Sequence, residues 1–143
     1  MKDMIRRKHA TQATLDAWRG TRFDWVSRPD NRRTCAHTLE DHLRNMGHEP
    51  PAVPEFDSIR GAIKALNSLG WANLTEMLDD LLERRPSPSF MLMGDVALAP
   101  TGTPIEGILI CAGPMKVFGW HETDDRLIVM DIDLDQLIGA WVA

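Results

Sequence analysis

Apolar positions recur at helical spacing through the first half of the chain, which predicts amphipathic helices there. Thr34 can cap one of these helices and Asp57 or Ser58 another, and a glycine follows each of the first three helices as a C-terminal stop. Three prolines within 48–56 mark a connection. The pattern therefore predicts four helices, spanning 9–20, 34–47, 57–70 and 73–85.

Short runs rich in β-type residues replace that pattern after residue 89. The segments FMLMGDVALAP, EGILICAG, MKVFGW and RLIVMDI predict a meander of about four antiparallel strands. The tail predicts a short helix capped by Asp133 and a last extended stretch through Trp141. Helices followed by strands indicate an α+β fold, in which a helical N-terminal half packs on a small antiparallel sheet, within a single domain over 1–143.

Composition limits the classes of function. The chain has 143 residues, of which 43% are hydrophobic, and its longest apolar runs are far below the roughly 18 residues that a bilayer span needs. We therefore expect no membrane span. Its two cysteines belong to no pair or cluster with metal-ligand spacing, so the sequence predicts neither a metal nor another cofactor.

Charge is distributed unevenly along the chain. Residues 1–33 hold nine Lys/Arg against four Asp/Glu, whereas residues 34–143 hold seven against seventeen, and the formal net charge is −5. This acidic total argues against nucleic acid as a partner. It favours a basic N-terminal segment that docks on an acidic surface of another protein, through the candidate residues Arg6, Arg7, Lys8, Arg19 and Arg22.

Cys35 lies in the first turn of the second predicted helix. A thiol there feels the unpaired amide donors of the helix, which favours the thiolate and lowers its pKa. Cys35 is thus a candidate nucleophile. The alternative is a small core residue, because Cys35 also belongs to the apolar stripe of its own helix.

Several short motifs carry a resemblance to a known family. They are FDW (23–25), TC (34–35), RNMG (44–47), GDVAL (94–98), GILICAG (107–113) and GAWVA (139–143). With these motifs in this order, the chain resembles papain-like cysteine hydrolases of the NlpC type, which cleave peptidoglycan stem peptides. It resembles more closely an NlpC-like family that phages and prophages encode among their tail genes. The resemblance implies a papain-like fold and places Cys35 at the nucleophile position.

The resemblance also implies a base and an orienting residue, and this sequence departs from the pattern at both positions. The position of the family's histidine falls on Ile105 or Glu106, and that of the third residue on Phe118 or Gly119. Isoleucine exchanges no proton, and an exposed carboxylate is a weak base toward a thiol. By order along the chain, His121 is the best substitute base.

Other candidate sites have simpler explanations. His37 and Asp41 have the i,i+4 spacing of a metal pair, with His42 and His48 nearby, but a solvated helix face explains them as well. The acidic segment 131–139 lacks the glycine and glutamate of a calcium loop and is more simply a helix cap. Trp71, Trp120 and Met93 are candidate protein contacts, since tryptophan and methionine are frequent at interfaces.

Three functions fit these features. We favour a non-catalytic NlpC-like protein that serves as a structural or assembly component of a phage tail tip or baseplate, in contact with other tail proteins and located in the virion tail. The second is a peptidoglycan-cleaving cysteine hydrolase that uses Cys35. The third is a chaperone or regulator of tail assembly that never enters the particle.

Overall fold

The computed structural model describes residues 2–121 and 124–143, and within them four α-helices precede all the strands of a six-stranded sheet. The helices are α1 (Lys2–Trp18), α2 (Cys35–Asn45), α3 (Ile59–Ser68) and α4 (Leu74–Leu81). The strands are β1 (Glu83–Arg84), β2 (Val96–Ala99), β3 (Gly107–Gly113), β4 (Lys116–Gly119), β5 (Ile128–Asp131) and β6 (Gly139–Val142). The predicted α+β class is confirmed.

Side-chain caps set the starts of three helices. Thr34, Ser58 and Asn73 each accept a hydrogen bond from the backbone amide three residues later, at the starts of α2, α3 and α4. These bonds satisfy amide donors that the first helical turn leaves unpaired. The predicted caps at Thr34 and Ser58 are confirmed, as is Asp133, which caps the 3-10 helix Leu134–Gln136.

Helix α1 begins at Lys2, whereas the sequence pattern predicted a start near residue 9. Its additional turns are anchored by polar contacts that an apolar pattern cannot reveal. Arg7 is buried and donates to the carbonyl oxygen of Met93 and the side chain of Asp95, and the hydroxyl of Thr11 donates to the carbonyl oxygen of Arg7.

The fourth predicted helix and the first predicted strand are both shorter in the structure. Helix α4 ends at Leu81 because the chain becomes extended at Leu82 and then pairs with β6 as strand β1. In the segment 90–100, predicted as the first strand, only Val96–Ala99 is a strand, and Phe90 is the last residue of a 3-10 helix, Pro88–Phe90. Gly94, with φ of 91°, lies just before β2.

The sheet is antiparallel, with the strand order β1-β6-β2-β3-β4-β5. Strands β2 to β5 form the predicted meander, and the predicted extended stretch through Trp141 is strand β6. The sequence pattern did not predict that β6 returns to lie between β1 and β2. The main core lies between α2, α3, α4 and one face of the sheet. A smaller cluster around Val117 and Leu137 covers the opposite face.

Candidate functional site

The start of α2 carries the candidate nucleophile. Thr34 and His37 form a reciprocal capping box, in which the Thr34 side chain accepts from the His37 amide and the His37 ring accepts from the Thr34 amide. Cys35 is therefore the first helical residue, and its predicted place in the first turn is confirmed. Its side chain is half-buried and packs against the main core.

The thiol of Cys35 is poorly suited to ionise. Burial raises its pKa, and the nearby charge of Glu106 acts in the same direction. Hydrogen bonds with the backbone of Ile108, Cys35 and Ala36 act in the opposite direction but do not prevail. The expectation that the first helical turn lowers this pKa is therefore wrong, because desolvation outweighs the local amide dipoles.

Cys35 lies between two concave regions. On one side is a narrow apolar cleft of about 80 Å³ between α2, α3, α4 and the proline-rich loop 50–56. On the other is an open groove of about 660 Å³, which we call the acidic groove. Its lining includes Cys35, the aromatic rings of Phe23, Trp25 and Trp120, the carboxylates of Glu106, Asp124 and Asp125, and His121.

Glu106 is one of the two residues, with Ile105, at the position where the resemblance places a catalytic histidine. Its carboxylate accepts hydrogen bonds from the backbone amide of Thr75, at 3.3 Å, and from the Thr75 hydroxyl, at 3.2 Å. Glu106 thus ties the start of β3 to the first turn of α4. The other position of interest, Phe118, is buried in the core beside Leu15 and Trp18.

His121 is exposed and lines the acidic groove together with Cys35. The structure therefore brings the candidate nucleophile and its candidate base to one groove, although they are far apart in sequence.

His37 belongs to a buried chain of hydrogen bonds. Because the Thr34 amide donates to Nδ1, Nε2 carries the hydrogen and donates to the Ser27 hydroxyl, at 3.1 Å; that hydroxyl in turn donates to the carbonyl oxygen of Pro54. Burial lowers the pKa of His37 to about 4. The hypothesis of a solvated face is wrong for His37, and the signal missed in the sequence was its position three residues after a capping threonine.

His42 is fully buried between α1 and the turn before β2. Its Nε2 donates to the carbonyl oxygen of Gly94 at 2.8 Å, and its Nδ1 lies 2.8 Å from the Thr14 hydroxyl. Burial lowers the pKa of His42 to about 4. Within 2–121 and 124–143, no three His, Cys, Asp or Glu side chains are grouped as a metal site would require.

The candidate contact residues differ in their accessibility. Trp71, Trp120 and Met93 are half-buried; the indole of Trp71 donates to Asp80, and that of Trp120 to the carbonyl oxygen of Thr21. Arg7 is 3% exposed and is occupied inside the protein, so its assignment to the docking segment is wrong. The other basic candidates are exposed, namely Arg6, Lys8, Arg19 and Arg22.

A patch of exposed apolar side chains lies around the tip of the β3-β4 hairpin. Leu92 is 44% exposed and Met115 50% exposed, and both line a shallow groove with Met4 and Met93. This patch overlaps the methionine-rich segment that contains the candidate contact Met93.

The fold and the groove define a class of protein: an α+β domain with a cysteine at the start of a helix, beside a groove at one end of strands β3 and β4 of an antiparallel sheet. Residues 4–142 match the family described as a domain of unknown function, DUF6950, and the chain belongs to that family. No curated protein shows significant similarity to it. Among the described residues, no helix is both long and apolar enough to cross a membrane.

Proposed function

We propose that this protein is a non-catalytic relative of the papain-like NlpC hydrolases and acts as a structural or assembly component of a phage tail tip or baseplate. The sequence motifs that resemble the tail-associated family support this assignment. The placement of Cys35 at the start of a helix that packs on β3 agrees with a papain-like arrangement.

The state of the thiol is the observation that carries the non-catalytic part of the proposal. A cysteine nucleophile needs a depressed pKa and a base that is itself held in place. Here burial raises the pKa of Cys35, and Glu106, which with Ile105 falls at the position expected for the base, is hydrogen-bonded to Thr75. The neutral rings of His37 and His42 are bonded to other groups.

Replacement of the thiol tests this proposal. Phage that carry Cys35→Ala should assemble and infect normally, since the side chain serves only packing. The matched control is Cys111→Ala, which removes a buried thiol away from the acidic groove. If Cys35→Ala particles assembled but failed to cross the cell wall while Cys111→Ala particles succeeded, the thiol would be catalytic and the proposal wrong.

A peptidoglycan hydrolase is the second candidate, because Cys35 and His121 line the same groove. This alternative predicts that the purified protein releases stem-peptide fragments from peptidoglycan, and that Cys35→Ala and His121→Ala each abolish the release. Under the structural proposal, the wild-type protein and both variants release nothing above a no-protein control.

Contacts with other tail proteins are the means by which a structural component would act. The exposed cations Arg6, Lys8, Arg19 and Arg22 supply long-range attraction to an acidic partner, and the exposed patch around Leu92 and Met115 supplies apolar area. Arg6→Glu with Lys8→Glu should slow association with purified tail-tip proteins at low salt and have little effect at high salt. If no protein of the mature tail binds but an assembly intermediate does, the chaperone function is favoured.

A further inference from the structure

The C-terminal end of α1 borders a second cleft of about 570 Å³, which we call the arginine cleft. The charged side chains that line it within the described residues are Arg22, Arg32, Arg33, Arg126 and Asp41. Positive charge is therefore concentrated locally in a protein whose formal net charge is −5.

The carboxylate of Asp41, which lines the cleft, is already paired with donors of the protein itself. Asp41 accepts hydrogen bonds from Arg32, at 2.8 Å, and from the indole of Trp18, at 3.0 Å. Arg32 also donates to Glu40 at 2.7 Å. The charges of Arg32 and Asp41 are therefore paired with each other, and the charge available to a ligand in the cleft comes from Arg22, Arg33 and Arg126.

Arg22 and Arg126 face each other across an antiparallel β-bridge. The bridge is flanked by hydrogen bonds from Leu127 N to Thr21 O, at 2.9 Å, and from Phe23 N to Asp125 O, at 2.8 Å. This pattern makes Arg22 and Arg126 a non-hydrogen-bonded pair, in which opposed side chains share one face and approach most closely. Like charges in such a pair repel each other and destabilise the bridge.

The protein offers little compensation for this repulsion. Arg22 approaches Asp125 at 3.9 Å, and both side chains are more than half exposed. Within the described residues, the guanidinium groups of Arg33 and Arg126 have no hydrogen-bond or ion-pair partner. The carboxylate near Arg33, that of Asp24, accepts from Val26 and Asn31 instead.

We propose that the arginine cleft binds a phosphoryl group through Arg22, Arg33 and Arg126. Arginine donates pairs of hydrogen bonds to phosphate oxygens, and a tetrahedral oxyanion presents oxygens to several guanidinium groups at once. A dianion between Arg22 and Arg126 also offsets the repulsion between the two guanidinium groups. A carboxylate, with a single negative charge, offsets less of this repulsion. This site does not depend on the role of Cys35 and would exist in a structural protein or a hydrolase.

Calorimetric titration of the full chain with inorganic phosphate, at constant ionic strength, tests the proposal. Wild-type protein should show saturable binding, and Arg33→Gln and Arg126→Gln should each weaken it by about tenfold, the effect of losing a charged hydrogen-bond donor. The matched control is Arg60→Gln, which removes one exposed positive charge on α3, outside the cleft. It should leave the affinity unchanged.

Two further probes identify the ligand class. Dimethyl phosphate is a phosphodiester with one negative charge. It should bind more weakly than inorganic phosphate if the site takes a phosphomonoester, and as tightly as inorganic phosphate if the site takes a diester. Acetate should bind more weakly than either phosphate compound. Acetate binding as tight as that of phosphate would overturn the assignment to a phosphoryl group. Equal effects of Arg60→Gln and Arg126→Gln would show a response to net charge and would also overturn it.

Thermal unfolding gives a readout that does not depend on affinity. Without phosphate, Arg126→Gln should unfold at the same temperature as wild type or higher, because it removes the repulsion with Arg22. With saturating phosphate, wild type should gain more than the variant. An Arg126→Gln variant that is destabilised without phosphate would contradict the argument from opposed charges.

Discussion

The acidic groove and the ion cluster of Arg7, Arg85 and Asp95 organise their charges in opposite ways. Asp95 is completely buried and accepts hydrogen bonds from Arg7, from Arg85 at 2.9 Å and from the Leu92 amide at 2.8 Å. Arg7 also donates to the carbonyl oxygens of Met93 and Ala143. In the groove, Asp124 and Asp125 lie near the surface beside aromatic rings, and the hydrogen bonds of the Cys35 thiol are with backbone groups.

This difference shows where the protein uses its preorganised polar groups. Catalysis depends on charges and dipoles fixed in advance, yet here the most firmly fixed charges join α1 to the start of β2. Within 2–121 and 124–143, every buried side-chain nitrogen and oxygen has a hydrogen-bond partner. Buried polar residues in this fold therefore act mainly as connections between helices and strands. The acidic groove has fewer fixed polar contacts than the ion cluster.

Removal of Asp95 should have the largest effect on stability. Asp95→Ala leaves Arg7 and Arg85 facing each other without their anion, and breaking a buried pair costs about 3–5 kcal/mol. Urea unfolding measures this loss. Asp131→Ala is the matched control, since it breaks an exposed pair with Lys116 at 2.6 Å and should cost less than about 1 kcal/mol. Similar losses for the two variants would mean that the buried ion cluster stabilises the fold no more than an exposed ion pair does.

The ion cluster also shows what sequence patterns can and cannot predict. The α+β class, the caps at Thr34 and Ser58 and the first helical position of Cys35 follow from local spacing, and all three could be predicted. The pairing of Arg7 with Asp95 joins residues 88 positions apart, and no local signal indicates it. The extension of α1 to Lys2 was missed for the same reason, because polar contacts anchor its first turns.

The candidate site was predictable to a similar degree. Its position at Cys35 follows from local sequence, but the direction of the thiol pKa depends on burial by β3 and on Glu106, which only the tertiary structure provides. The arginine cleft combines α1, the segment 32–33 and Arg126. The excess of basic residues in 1–33 was visible in the sequence, but their division between a buried anchor, a network and a cleft was not.

The second-largest effect per residue should appear on acidification. The folded-state pKa values of His37 and His42 are about 4, below the ordinary value of 6.5. The unfolded chain therefore binds more protons between these values, and folding stability falls as the pH drops below 6.5. Each histidine should cost about 2 kcal/mol by pH 5 and about 3 kcal/mol below pH 4.

Urea unfolding at several pH values between 7 and 5 measures this slope. His42→Gln should reduce it by about half, because one of the two buried imidazoles is gone. If the slope stays the same in His42→Gln, His42 is not the titrating group, and the buried contact of its ring with Thr14 and Gly94 tolerates a protonated imidazole.

The two cysteines provide a smaller test of the same contrast. Cys111 is 2% exposed, and its thiol donates to the carbonyl oxygen of Gly113 at 3.3 Å, whereas Cys35 is half-buried at the groove. Cys111→Ala should cost about 1–2 kcal/mol and Cys35→Ala about 1 kcal/mol or less, since truncation costs follow burial. Because its pKa is raised, Cys35 should also react slowly with a thiol reagent at pH 7, and rapid modification would indicate an activated groove.

The smallest effect should come from Arg6, one residue from Arg7 on the same helix. Arg6 pairs with Asp3 at 3.3 Å, and both side chains are more than 60% exposed. An exposed i,i+3 pair contributes about 0.2–0.5 kcal/mol and is screened by salt. Arg6→Gln should therefore change the free energy of unfolding by no more than that amount, and the change should vanish at high salt. Arg7→Gln, by contrast, leaves Asp95 with one arginine and should cost several times more, with little dependence on salt. Urea unfolding of both variants at low and high salt separates the two outcomes. Equal costs would mean that the buried pair of Arg7 and Asp95 contributes no more to stability than the exposed pair of Arg6 and Asp3.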